Sequence, residues 1–316
     1  MTGSRGSVGL TRRGLLRVSG LGLAAAGLAG RAPTASAAGP LLMRTVPSTG
    51  EALPAVGLGT WRTFMVGPTA AERAPLTEVL RVFLAGGGRV IDTAPMYAPA
   101  EAVLGELLAG LGGEAQRQAW IATKVWTHGR AAGIAQMEAS LRLLRRRRLE
   151  LMQVHNLVDW RTQLATLREW KAAGRIRYVG LTHYATSALD ELADILAAEP
   201  VDFVQVPYSL AVRAAERRLL PVAAERGVAV LVNRPFEGGD VFAKVRGLDP
   251  PTWAEAFGAR SWGQFLLKYV LGHPAVTCVI PATAKPRHLL DNLAAGRGRL
   301  PTVAERRRMI ETWQRL

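Results

Sequence analysis

Eight short runs of strand-forming residues, separated by longer stretches with helical spacing, recur from Leu53 onward in this 316-residue chain. That alternation confines the chain to folds built from repeated βα units around a parallel sheet. The strand runs fall near Ala55 to Leu58, Val90 to Asp92, Trp120 to Lys124, Leu149 to His155, Ile176 to Leu181, Val201 to Val206, Val228 to Val232 and Val276 to Ile280. Between them, apolar residues three and four apart predict helices over Ile134 to Leu144, Leu164 to Trp170, Leu189 to Leu196 and Phe265 to Leu271, with a last helix over Val303 to Leu316. Eight strands are the number that closes a (β/α)8 TIM barrel. A doubly wound sheet shows the same alternation, but Gly57-Leu58-Gly59 has no third glycine at the spacing a dinucleotide fold needs. The barrel is therefore the expected fold, and the Gly- and Pro-bearing connection from Pro235 to Arg260 is expected to be a loop over its mouth.

Apolar residues at 49% and charged residues at 21% exclude extended disorder. The formal charge of +15 suggests a nucleic-acid partner until its distribution is read. Five of the arginines (Arg5, Arg12, Arg13, Arg17 and Arg31) lie in the first 37 residues. The densest later runs, Arg145 to Arg148 and Arg306 to Arg308, do not alternate with aromatics and read as solvated helix ends. No nucleic-acid partner is expected. The single cysteine, Cys278, sits in an apolar run and reads as a small buried hydrophobe, which leaves no disulfide and no thiolate cluster.

The first 37 residues have the order of an export leader: Arg12-Arg13 and two leucines, an uncharged run from Val18 to Gly30, then Ala35-Ser36-Ala37. They resemble the twin-arginine type of signal peptide, which implies passage through the twin-arginine translocase and a periplasmic or secreted product. The apolar run is about 13 residues, short of the roughly 20 that span a bilayer, so no stable membrane span is expected after cleavage. The organisation read from sequence is thus a signal peptide over 1–37, a leader-proximal segment over 38–52, and the barrel domain over 53–316.

A barrel of this kind carries its active site at the C-terminal ends of its strands. Four polar residues stand there: Asp92 closing the second strand, Tyr97 in the loop after it, Lys124 closing the third strand and His155 closing the fourth. Taken singly, they read as a turn residue, a loop aromatic, a salt-bridge lysine and a core histidine. Together they suit carbonyl reduction, which needs a proton for the oxygen as well as a hydride for the carbon. A phenol with an ordinary pKa of about 10 gives up its proton only if the phenolate is stabilised. Lys124 would lower the phenol's pKa, Asp92 would hold the ammonium in place, and His155 would hydrogen-bond the carbonyl oxygen. No metal is required.

The segments Ile91-Asp92-Thr93-Ala94-Pro95-Met96-Tyr97 with Glu101 and Gly105, Ala122-Thr123-Lys124, and Val154-His155 resemble those of the aldo-keto reductase family, in order and across essentially the whole mature chain. The resemblance implies a nicotinamide-dependent oxidoreductase that reduces an aldehyde or ketone to an alcohol, with Tyr97 as proton donor. Ala98 stands where the family commonly has glycine. The resemblance extends to Ile280-Pro281-Ala282-Thr283-Ala284-Lys285-Pro286-Arg287-His288, which matches the family's phosphate clamp. It implies that Thr283 contacts the adenosine phosphate, that Asp291 and Asn292 reach the adenine, and that Thr182, His183 and Gln205 hold the nicotinamide carboxamide. The family's usual lysine and arginine fall on Ala282 and His288, with Lys285 and Arg287 as replacements, and its stacking tyrosine falls on Asn233. Arg234 is placed to reach the pyrophosphate. NADPH is the expected cofactor, with NADH as the alternative.

Trp61, Met65, Trp126, Trp160, Tyr208 and Phe236 follow strands at the expected mouth and are candidates to line an apolar pocket for a small carbonyl substrate. Two other classes of function fit the same fold: a nucleotide-binding regulatory barrel without turnover, and a cofactor-free exported isomerase or hydrolase. The intact set of four argues against the first. The second leaves the segment from Ile280 to Asn292 without a purpose.

Overall fold

Because successive side chains in a strand point to opposite faces, the pairing register decides which residues enter a barrel. In the computed structural model, which describes residues 39–316, eight strands pair in parallel and in chain order. They are β3 (Leu58–Gly59), β4 (Val90–Asp92), β5 (Trp120–Val125), β6 (Leu149–His155), β7 (Ile176–Thr182), β8 (Phe203–Pro207), β9 (Ala229–Asn233) and β10 (Val276–Val279), preceded by β1 (Met43–Thr45) and β2 (Ala52–Pro54). Val56 bridges Val279 and Gly59 bridges Ala282, so the first and last barrel strands meet and the sheet closes as a (β/α)8 barrel. Gly57-Leu58-Gly59 belongs to this seam. A Cβ on Gly59 would stand 2.8 Å from the Ile280 carbonyl oxygen, and one on Gly57 2.8 Å from that of Val90. The two glycines let backbones approach rather than cradle a phosphate.

The register runs Asp92↔Ala122, Lys124↔Gln153, His155↔Thr182, Thr182↔Gln205 and Gln205↔Leu231. One parity therefore contains Asp92, Lys124, Gln153, His155, Thr182, Gln205 and Asn233 at the C-terminal ends. The same parity contains Val90, Trp120, Leu151, Tyr178, Phe203 and Ala229 at the N-terminal ends, and these form the apolar plug of the barrel interior. Phe203 stacks edge-on to Tyr178 at 5.2 Å and lies 5.6 Å from Trp120. Residues of the other parity face the helices and join a second, larger core. The barrel is thus dry at one end and polar at the other, an asymmetry that positions the site.

The helices are α1 (Ala70–Ala85), α2 (Ala100–Gly110), α3 (Gly113–Gln118), α4 (Arg130–Leu143), α5 (Trp160–Ala172), α6 (Leu189–Ala198), α7 (Leu219–Glu225), α8 (Val241–Lys244), α9 (Trp262–Leu271), α10 (Pro286–Ala295) and α11 (Val303–Arg315). Thr69 with Glu72, and Thr302 with Glu305, form capping boxes that start α1 and α11. The connection from 235 to 260 is not the bare loop its composition suggests. It contains a 3₁₀ turn at Glu237–Gly239, then α8, then a 3₁₀ segment at Thr252–Phe257.

The segment 38–52, read from sequence as separate from the barrel, supplies most of an antiparallel hairpin, β1 with β2, in register Met43↔Pro54. Its Val46 and the adjacent Leu53 are fully buried in the interior cluster, so the hairpin seals the N-terminal end of the barrel. Glu51 fastens it there, accepting from the Tyr178 hydroxyl at 2.7 Å and from Arg177 at 3.0 Å. Cys278 lies buried in β10 at the closing seam, and burial pushes its thiol pKa well above the ordinary value. The leader read over residues 1–37 lies outside the described residues.

Candidate active site

The polar end of the barrel interior is organised by one buried ion pair. Lys124 donates to both carboxylate oxygens of Asp92, at 2.9 and 2.8 Å, and to the Thr93 carbonyl at 2.6 Å. Neither charge reaches solvent, with side-chain exposures of 0% and 4%. Burial alone would lower the Lys124 pKa, but Asp92 and Tyr97 outweigh it and hold the ammonium above its ordinary value. Gln205 donates from Nε2 to Asp92 at 2.7 Å, which satisfies the carboxylate from a third strand.

Tyr97 reaches the pair from the loop after β4, its ring centroid 5.1 Å from the Lys124 ammonium. Lys124 pulls the phenol pKa down, as its charge requires. Burial is the larger effect, Asp92 adds to it, and the net shift is upward. Lys124 therefore acts on the phenol in the expected direction, while burial sets the net shift, and the hydroxyl is protonated near neutral pH. His155 stands edge-on to Tyr97, with centroids 6.3 Å apart and planes at 83°. Burial, reinforced by the charge of Lys124 and by His183, pushes its pKa down to about 3, so the ring is neutral near neutral pH. A neutral imidazole here can hydrogen-bond an oxygen without competing with Lys124 for the carboxylate.

These groups open into a cavity of about 510 Å³ whose lining includes Asp92, Tyr97, His155, Thr182, Gln205, Asn233 and Arg234. Of the apolar residues expected from sequence, Trp61 and Phe236 line it. Met65 and Trp126 are exposed but outside its lining, and Trp160 packs against the outer core beneath Arg161. Tyr208 is a correction of a different kind. Its parity is opposite to that of Gln205, so it points outward into the helical layer, fully buried, with its hydroxyl on Glu216 and Arg306. Sequence reasoning passed over Arg62, Met96, Tyr184 and Phe242, all of which line the cavity. Tyr184 carried a signal, being the aromatic directly after Thr182-His183, and it stacks on His183 at 5.5 Å.

Seven of the eight non-glycine residues with positive φ among the described residues cluster on loops at this face: Arg62, Ala98, Asn156, Leu157, Asp159, Arg234 and Glu237. Each such conformation costs on the order of 1–3 kcal/mol, and strain of this kind collects at functional sites. Ala98, at φ 47°, explains why glycine suits the position after the tyrosine.

The residues expected to hold a nicotinamide dinucleotide fall in two groups. Near Asp92, Thr182 donates to Gln205 Oε1 at 3.1 Å and Asn233 donates to the same oxygen at 3.4 Å. His183 accepts from the Ala185 N–H at 3.0 Å, leaving its other ring nitrogen as the donor. Three polar atoms on the cavity wall are buried without a partner: His155 Nδ1, Asn156 Oδ1 and Asn233 Oδ1. A ligand with amide and hydroxyl groups suits them. Arg234 lies 3.6 Å from Glu237 and faces the same cavity.

The second group surrounds the start of α10. Thr283 accepts from the Lys285 N–H at 3.1 Å, and Lys285 and Arg287 are exposed beside the helix N-terminus. Two cations at the positive end of a helix suit a phosphate. Asn292 is buried, and Asp291 accepts from Ser261 Oγ and Gln264 Nε2, both at 2.7 Å. Asp291 thus fastens α10 to α9, and its carboxylate is half-buried.

The sequence profile described as "Aldo/keto reductase family" matches residues 55–305. A protein named methylglyoxal reductase YeaE, from Escherichia coli K12, is 31% identical over 252 residues, covering 77% of this chain and 85% of its own. An aldo-keto reductase from Klebsiella pneumoniae, solved in complex with NADPH, superposes with a TM-score of 0.70 at 27% identity, over 86% of this chain and 96% of its own. A Klebsiella pneumoniae aldo/keto reductase solved with NADP and acetate gives a TM-score of 0.67 at 28% identity, over 84% and 93%.

Proposed function

The chain belongs to the aldo/keto reductase family, and from that premise we propose that it reduces the carbonyl of a small aldehyde or ketone with NADPH. The observation that carries this reading is the convergence of Tyr97, Asp92 and His155 on the lining of one cavity, with Lys124 buried behind them against Asp92 and Tyr97. Thr182, His183, Gln205, Asn233 and Arg234 would hold the nicotinamide half, and Thr283, Lys285, Arg287, Asp291 and Asn292 the adenosine phosphate half. When bound, the dinucleotide supplies the hydride to the carbonyl carbon.

The chain's own residues do the rest. His155, neutral, orients the carbonyl oxygen through a hydrogen bond. Tyr97 delivers its phenolic proton to that oxygen as negative charge develops there. Lys124 stabilises the phenolate left behind, and Asp92 keeps the ammonium charged and aimed. Trp61, Phe236 and Phe242 exclude water from the reacting centre and offer the substrate an apolar wall.

Titration with NADPH and then NADH, followed by tryptophan fluorescence, tests the reading. Tighter binding of NADPH is expected, and the K285A/R287A variant should lose about tenfold or more of that preference. If neither nucleotide binds, the reading fails. Export rests on the leader alone. The order of basic, apolar and small-residue segments supports passage through the twin-arginine translocase to the periplasm or beyond. Cell fractionation should find the mature enzyme outside the cytoplasm, and replacement of Arg12 and Arg13 by lysine should retain it inside; a cytoplasmic wild-type protein would overturn the assignment.

A further inference from the structure

The arginine run at 145–148 finds no use in the chemistry above, and the fold gives it a setting the sequence does not show. Arg146, Arg147 and Arg148 form the turn into β6. Arg89 directly precedes β4, Arg117 lies in α3 just before β5, and Arg177 is the second residue of β7. Four consecutive strands pairing in parallel bring these six residues to one side of the N-terminal end of the barrel, opposite Tyr97. There they line a single cleft of about 280 Å³.

Carboxylates nearby answer part of this charge. Arg177 and Arg89 share Glu51, at 3.0 and 3.9 Å, and Arg117 pairs with Glu114 at 2.6 Å. Glu150, also in the cleft, spends one oxygen on the Ile121 N–H at 2.8 Å. Arg146 donates to the Ala119 carbonyl at 2.6 Å and is itself substantially buried, which lowers its pKa. Arg147 and Arg148 have neither hydrogen bond nor ion pair among the described residues. A concavity with more cations than anions focuses the field and draws in a counter-ion. Guanidinium groups from several directions match the several oxygens of a phosphate, each able to make two parallel hydrogen bonds. The volume equals the share of about nine liquid waters, enough for a diphosphate group.

We propose that this cleft is an anion-binding site for a phosphate-bearing ligand, separate from the reductase mouth. The phosphate could belong to a soluble diphosphate or to a phospholipid headgroup; the binding chemistry is the same, and two measurements separate the sources. The first is calorimetric titration of the full chain with pyrophosphate at ionic strength held constant with chloride. Because the mouth also attracts phosphate, two variants are compared. R147A/R148A should bind pyrophosphate at least tenfold more weakly at one site while keeping kcat/KM for carbonyl reduction, and K285A/R287A should keep that site. R148E alone should show the same loss. Equal pyrophosphate binding by wild type and R147A/R148A, or wild-type binding no tighter than that of chloride, would overturn the proposal. The second measurement is cosedimentation with phosphatidylglycerol vesicles. Sedimentation that pyrophosphate competes away and R147A/R148A abolishes identifies the headgroup as the ligand. Pyrophosphate binding without sedimentation identifies the soluble anion.

Discussion

Tyr97→Phe is expected to lower kcat by about 10²- to 10⁴-fold, the range a positioned general acid contributes, with NADPH affinity nearly unchanged. The ring sits over the Lys124 ammonium and edge-on to His155, and phenylalanine preserves both contacts. What it removes is the one hydroxyl placed to protonate the carbonyl oxygen. Since burial holds the Tyr97 pKa above its ordinary value, the wild-type phenol stays protonated through neutral pH and supplies its proton only during reduction. Steady-state kinetics with a small aldehyde, beside a fluorescence titration of the same variant, checks both halves. Turnover within a factor of three of wild type would mean that another group gives the proton.

Lys124→Met should cost both activity and stability, for separable reasons. Its loss leaves the Asp92 carboxylate buried with only Gln205 and the more distant Gln153 as donors. Breaking one side of a buried pair typically costs about 3–5 kcal/mol. For a domain of this size that is a fall in Tm on the order of 10 °C. The double variant D92N/K124M removes the stranded charge and should recover much of the lost stability while remaining inactive, because the phenolate still has no counter-charge. Thermal unfolding of the two variants side by side measures this. A single variant as stable as wild type would show that Asp92 is satisfied without its lysine.

The barrel was legible because each strand is a short apolar run bounded by turn residues, and the observed strands overlap every one expected. The hairpin at 43–54 was not, since two three-residue strands carry too little periodicity to separate from a linker. Asp92, Tyr97, Lys124 and His155 were legible as residues at strand ends, and register then put Asp92, Lys124 and His155 on one parity. The lining of the pocket was less so. Being near a strand end in sequence says nothing about direction, and Tyr208, one residue past an inward position, turns into the helical layer instead. Glu101 and Gly105, known at first only as parts of a motif, gain physical reasons. Glu101 accepts from Thr123 at 2.5 Å and Ser140 at 3.0 Å, tying α2 to β5 and α4. A Cβ on Gly105 would collide with the Leu143 carbonyl oxygen. The contacts that tie Asp291 to Ser261 and Gln264 were not legible, because its neighbour across the helix pair is invisible in a linear reading.

The sulfur of Cys278 lies inside the seam where the first and last barrel strands meet, and it is the sole thiol in the chain. Folding therefore involves no oxidative pairing, and the barrel can form alike in a reducing or an oxidising compartment. The same sulfur is a built-in gauge of the barrel's integrity. An alkylating reagent reaches it only when the barrel opens, so the rate of labelling reports those openings without a probe having to be engineered into the protein.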